Sequence, residues 1–113
     1  MFKDDRIRMQ HMLDAAREAL SFAANRIRSD LDRDRMLVLS LVKDVEIIGE
    51  AAAHITDDTR ERYPEIPWIS IVGMRNRLIH AYFDVDLDRV WDTVIDDLPP
   101  LVLELEKILF SEG

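Results

Sequence analysis

Apolar residues return every three or four positions along most of the chain. No segment alternates with period two over a useful length, so the pattern is that of helices carrying one buried stripe each. Ile7, Leu13, Ala16, Leu20, Ala23, Ala24 and Ile27 predict a first helix from about Asp4 to Ile27. Ser29–Asp30–Leu31–Asp32 offers several N-cap oxygens and reads as a turn. Val38, Leu41, Val42, Val45, Ile48, Ala52 and Ile55 predict a second helix ending near Ile55. Asp58 with Glu61 matches a capping box for a short helical turn before Pro64. Pro64–Glu65–Ile66–Pro67 is a stiff connector, and Pro67 suits the first position of a third helix, Trp68 to about Phe83. Asp84–Val85–Asp86 then punctuates, with Asp86 an N-cap for a stripe of Leu87, Val90, Trp91, Val94, Ile95 and Leu98. Pro99–Pro100 removes two N–H donors and sets two rings against the preceding turn, which predicts a kink or break near Leu98. Leu101, Val102, Leu105, Ile108 and Leu109 carry the stripe onward. The expected fold is all-α: an antiparallel four-helix up-down bundle with a Pro-kinked C-terminal helix, one domain over residues 1–113.

Composition narrows the chemistry. With 48% apolar and 34% charged residues in 113, a globular core is expected and disorder is not. Cysteine is absent, which excludes disulfides, thiolate metal sites and a cysteine nucleophile, and fits a reducing, cytoplasmic setting. No apolar run approaches the roughly 18–20 residues of a spanning helix, and Met1–Arg6 lacks a signal peptide's apolar segment. No membrane association is therefore expected. His11 and His54 have no ligand spacing and read as surface histidines. No histidine pair has the close spacing that zinc favours, so neither metal nor cofactor is expected. Gly49 costs its helix about 1 kcal/mol against alanine, and close helix–helix contact explains it.

One charge stands in an unexpected place. If the third helix is continuous, Trp68, Ile79 and Val72 flank Arg75 on one side and Tyr82, Ile71 and Leu78 on the other, each within about 60°. Arg75 then sits at the centre of the apolar stripe, where a guanidinium must be paired, reach a wet cleft or face another subunit. Glu46 and Glu50 on the second helix are candidate partners. His80 falls about 140° away, in a polar wedge with Ser70, Gly73, Asn76 and Arg77, and Asn76 and His80 form an i, i+4 pair. With so little of this helix left for solvent, burial on two sides is expected, against the core and against a partner subunit.

The segment Arg75–Asn76–Arg77–Leu78–Ile79–His80–Ala81–Tyr82 carries the pattern Arg-x4-His-x-Tyr. It resembles the HEPN superfamily, and within it the HepT toxin family. The likeness extends to Val45–Glu46–Ile47–Ile48–Gly49–Glu50–Ala51, to Pro67–Trp68 ahead of Gly73–Met74, and to Phe83–Asp84–Val85–Asp86. It is clearest from about Arg35 to Leu109. The resemblance implies a homodimeric four-helix bundle that is a metal-independent endoribonuclease, with two motif copies meeting in a composite cleft at the dimer interface. It assigns Arg75 and His80 as the catalytic pair with Asn76 beside them. It also implies a cognate antitoxin, a minimal nucleotidyltransferase, that adenylylates Tyr82. A dimeric, non-catalytic partner of such a nucleotidyltransferase is the alternative, and a plain monomeric bundle pairing Arg75 with Glu46 or Glu50 is a third reading.

The net charge of −8 opposes broad coating of RNA, since affinity for a polyanion rests on Lys and Arg. Its distribution matters more than its sum. Residues 84–113 carry two bases against nine acids, whereas residues 68–83 carry Arg75 and Arg77 and no acid. RNA handling is therefore expected in a confined site gripping one or two phosphates.

Overall fold

The structure, a computed structural model, describes residues 1–81 and 84–111. It is mainly helical: α1 (Lys3–Ala23), α2 (Arg35–Ala53), α3 (Asp57–Arg62), α4 (Trp68–Val72), α5 (Met74–Leu78), α6 (Leu87–Asp92) and α7 (Leu98–Ser111). A 3₁₀ turn (Arg28–Asp32) precedes α2, and strands β1 (Ile79–Ala81) and β2 (Asp84–Val85) pair antiparallel between α5 and α6. α1 lies along α2 and α7, and α2 also receives α4 and α5. Met9, Met12, Leu41, Val45, Ile48, Leu78, Val94, Leu98 and Leu105, all fully buried, form the centre of the core. Among the described residues no helix is long and apolar enough to cross a membrane.

Four boundaries differ from the sequence reading, each for a local reason. α1 stops at Ala23 rather than Ile27 because Asn25 takes a left-handed conformation (φ 62°), which asparagine tolerates and which ends a helix. Ile27 is left exposed. The Ser29–Asp32 turn is one turn of 3₁₀ helix: Asp30 accepts from the Ile27 N–H at 2.8 Å, and Asp34 caps α2 by accepting from Leu37 N–H at 3.0 Å. α3 begins at Asp57, so Asp58 and Glu61 do not frame it as a capping box; the residue before it is Thr56, whose hydroxyl is spent elsewhere.

The proline pair does not end the last helix. Pro99 and Pro100 lie inside α7, and the adjustment falls one turn earlier, where Thr93–Asp97 form a π turn and Leu98 N–H bonds to Thr93 O. Two consecutive prolines leave the carbonyls of Ile95 and Asp96 without their i+4 donors. Widening that turn moves those carbonyls relative to the rings and lets the chain remain helical.

The third predicted helix departs furthest. It is interrupted at Gly73, ends at Leu78, and continues as extended chain: Ile79 has φ −125°, ψ 112°. Asp86 N–H takes the Leu78 carbonyl at 2.7 Å, and Ile79 pairs with Val85 across the two-stranded ladder. Gly49 faces the backbone of α4, where a Cβ would meet the carbonyls of Ile71 and Val72 at 3.4 and 3.5 Å. Close approach is thus the reason for this glycine.

The α1–α2 interface holds a buried carboxyl. Asp44 is 2% exposed, its Oδ2 has no hydrogen-bond partner, and its neighbour is Glu18 of α1. Burial first, and then Glu18, push its pKa up to about 7. Between the unfolded value near 3.9 and this folded value the native state holds a proton that the unfolded chain lacks, so stability falls as pH rises through that window. Asp44→Asn, neutral throughout, should be more stable than wild type by about 2 kcal/mol at pH 8 and should show no such advantage at pH 4. Urea unfolding at the two pH values checks this, and an equal difference at both would contradict it.

Candidate functional site

Arg75 lies on α5 and does not occupy the centre of a buried stripe. The buried residues of α4 and α5 are Trp68, Ile71, Met74 and Leu78, at spacings of three and four. Because the helix stops at Leu78, Ile79 no longer belongs to its face, and Arg75 falls to the edge. Its side chain is 47% exposed, and its Nε donates to Glu46 Oε2 of α2 at 3.4 Å. Glu46 was one of the two carboxylates open to it from the sequence. The other, Glu50, lines the same open groove of about 400 Å³, with Gly49, Ala53, Val72, Arg75 and Asn76. Ile69, 88% exposed, continues the outward face through Val72 to Asn76.

Arg77 is tied back. Its Nη2 donates to the Ser70 carbonyl at 2.9 Å and to Ser70 Oγ at 3.3 Å, and it faces Asp97 beyond α6. Burial raises the Asp97 pKa, Arg77 opposes the rise, and Asp96 and Asp92 add to it. The stretch that is acid-free in sequence is therefore not acid-free in space, since each of its arginines faces a carboxylate from another element.

His80 is not on the helix with Asn76. It stands on β1, exposed, with Nε2 3.4 Å from Asp86 Oδ2. Asp86 also caps α6, accepting from Arg89 N–H at 3.1 Å through Oδ1. That backbone hydrogen bond and the His80 contact hold the Asp86 carboxyl below its ordinary range against some desolvation. The i, i+4 pairing of Asn76 with His80 thus gives way to two separate placements: Arg75 and Asn76 on the α2–α5 groove, His80 on the short ladder beyond the end of α5. Among the described residues no hydrogen bond joins His80 to either. Tyr82 lies outside the described residues. Asp86 entered the sequence reading as a helix cap and within the Phe83–Asp86 likeness, with no role toward His80. Its contact with His80 comes from the reversal of the chain at β1–β2, which leaves no periodic signal in five residues.

His11 and His54 are both exposed and border one hollow with Arg8 and Glu50. Among the described residues, no three histidine or acidic side chains are grouped so as to hold a metal ion.

The chain matches the family described as ribonuclease HepT-like over residues 12–108, which includes Glu46, Arg75, Asn76, His80 and Asp86. It belongs to that family. Among its relatives is "Probable ribonuclease HepT" of Thermococcus cleftensis, 43% identical over 75 residues that span 66% of this chain and 68% of that one. A "Putative RNase" of Methanocaldococcus jannaschii is 33% identical over 106 residues, covering 94% and 97% of the two chains. Another, of Caldanaerobacter subterraneus subsp. tengcongensis, is 32% identical over 114 residues, covering 97% and 98%. No solved structure matches the chain. Membership in the HepT-like family supports a ribonuclease activity.

The Arg75–Glu46 pair bears on how such a protein would meet a phosphate. An exposed ion pair is worth about 0.2–1 kcal/mol, so a phosphate can displace Glu46 from the guanidinium at modest cost. Glu46→Gln should strengthen binding of an oligonucleotide whose 2′-OH groups are blocked by methylation by up to about fivefold at low salt. Fluorescence anisotropy with a labelled oligonucleotide measures it. Weaker binding would instead assign Glu46 a role in holding Arg75 in place.

Proposed function

We propose that the protein is a metal-independent endoribonuclease, the toxin of a toxin–antitoxin pair. Its four helical rods, α1, α2, α4–α5 and α6–α7, act as an antiparallel up-down bundle that works as a homodimer. The observation that supports this most is the placement of Arg75 and Asn76 on an open groove whose outward face continues into Ile69 and Val72. Exposed apolar side chains beside a half-exposed arginine fit a face that a second copy covers. Two motif copies then share one cleft, and two arginines offset the carboxylates that neutralise each of them singly.

RNA brings its own nucleophile, the 2′-OH beside the scissile phosphate. One histidine removes the 2′-OH proton, the oxygen attacks phosphorus, and the 5′ oxygen leaves with a proton from an acid. His80 supplies imidazole for either step, and the His80 of the second copy supplies the other. Arg75 braces the negative charge that grows on the phosphorane oxygens, and Asn76 adds a neutral hydrogen-bonding group to the same groove. The products are a 2′,3′-cyclic phosphate and a 5′-OH, with no oxidant, metal or cofactor consumed. The cognate minimal nucleotidyltransferase adenylylates Tyr82, two residues after His80, and the bulky anion excludes an RNA phosphate.

The deciding experiment is incubation of purified protein with RNA in EDTA, wild type beside Arg75→Ala and His80→Ala. Cleavage by wild type alone is expected, and intact RNA in all three would overturn the ribonuclease reading in favour of a non-catalytic partner of the nucleotidyltransferase. Intact mass after coexpression with that enzyme, showing AMP-sized additions that Tyr82→Phe abolishes, tests the regulatory half.

A further inference from the structure

We infer that Asp86 is a positioning residue for His80, joining the imidazole to the start of α6 so that the ring is presented in one orientation. The inference rests on the ribonuclease reading above for what His80 does, and on the following geometry for the rest.

Asp86 is held at three points. Its backbone N–H closes on the Leu78 carbonyl at 2.7 Å, its Oδ1 accepts from the Arg89 N–H at 3.1 Å, and its Oδ2 lies 3.4 Å from His80 Nε2. The first contact fixes the backbone against the end of α5. The second fixes the carboxylate's rotation as an N-cap. With one oxygen so committed, the other can point in only one direction, and that direction is toward His80. The imidazole itself stands on β1, 58% exposed, and among the described residues no other hydrogen bond orients it. A solvent-exposed imidazole without a partner samples several ring orientations, and one with a fixed carboxylate at Nε2 favours the tautomer and rotation that carry a proton there. This leaves Nδ1 as the free nitrogen. A proton-transfer group gains from such an arrangement because its reactive nitrogen is aimed before substrate arrives.

Capping and orientation can be separated chemically. Asparagine and serine cap helices nearly as well as aspartate, but neither offers a charged acceptor for an imidazolium. Asp86→Asn should therefore fold with an unchanged thermal midpoint. In steady-state cleavage it should lower kcat by about tenfold, a size suited to an exposed partner, with KM unchanged. Asp86→Ser should match it. The ¹⁵N shifts of the neutral His80 ring, read in wild type and Asp86→Asn, supply a measurement independent of cleavage. The outcome expected is a proton held on Nε2 in wild type and a more even mixture of the two tautomers in the variant. A wild-type rate in Asp86→Asn, or an unchanged tautomer ratio, would overturn the role of Asp86 alone. Intact RNA with the wild-type protein would overturn the ribonuclease reading, and the role of Asp86 with it. If Asp86→Asn lost its fold, Asp86→Ser and the wild-type ring shifts would carry the test: a His80 Nε2 that is not the protonated nitrogen of the neutral ring contradicts the inference.

Discussion

His80→Ala should lower kcat for RNA cleavage by roughly 10²–10⁴, the usual contribution of a positioned acid or base, while leaving the thermal midpoint where it is. The two halves of this expectation come from different observations. The ring is 58% exposed and among the described residues makes one long polar contact, to Asp86, so its removal strands no buried group there. Asp86 keeps its backbone and cap contacts in the variant, which preserves the start of α6. The catalytic loss follows from chemistry: no other imidazole lies on this part of the fold, since His11 and His54 border a separate hollow between α1 and α2. RNA affinity should change little, because in the proposed mechanism Arg75 is the group that grips phosphate. Arg75→Ala should weaken binding and rate together. A burst assay with labelled RNA in EDTA separates the two parameters, and a His80→Ala rate within tenfold of wild type would place the proton-transfer group elsewhere.

How much of this was legible in the sequence depends on the range over which each signal acts. The stripes of α2 and α7 repeat over several turns, and the spacing selects most of their buried residues. In α1 only Leu13, Ala16 and Ala23 of the expected stripe are buried. Met9, Met12, Ala15 and Ala19 complete the buried face, while Ile7, Ala24 and Ile27 are exposed. Gly49 was read correctly because a helix-interior glycine has few explanations. Arg75 shows the limit of the method. Its central place on a stripe depended on a helix running on past Ile79, and a helix that ends at Leu78 takes Ile79 out of that stripe. What ends it is a contact with Asp86, eight residues on, which no periodicity encodes. The same reversal carries His80 off the helix and toward Asp86. Short elements fixed by one or two side-chain bonds escape a wheel diagram, and the motif lies across such elements. The charge count is modified in the same way. Residues 68–83 contain no acid, yet Glu46 and Asp97 approach from α2 and the π turn, because counter-charges are supplied in space and not in sequence.

Asp5→Ala should destabilise the fold by about 3 kcal/mol, far more than a change at an ordinary surface aspartate. Asp5 stands in the first turn of α1, where a carboxylate is usually solvated, yet its side chain is fully buried. It accepts three hydrogen bonds: from Thr56 N–H at 3.1 Å, from Thr56 Oγ1 at 2.6 Å and from Thr59 Oγ1 at 2.6 Å. Thr56 is the N-cap of α3, but its hydroxyl donates to Asp5 and caps nothing. The carboxylate of α1 thus acts at the N-terminus of α3, joining residues 51 and 54 positions apart. Alanine would leave the Thr59 hydroxyl buried and short of its short bond, and would detach α3 from α1. Burial raises the Asp5 pKa, but the bonds from both threonines and the charge of Arg8 outweigh it, and the net shift is downward. A carboxyl whose folded pKa is depressed contributes its stability in full above the unfolded value near 3.9, and loses it as pH falls through the folded value. The difference between wild type and Asp5→Ala should therefore be constant from neutral pH down to about 4 and shrink below it. Urea unfolding at pH 7, 4 and 2.5 reads this directly, and a gap that widened in acid would mean that Asp5 is folded in its protonated form.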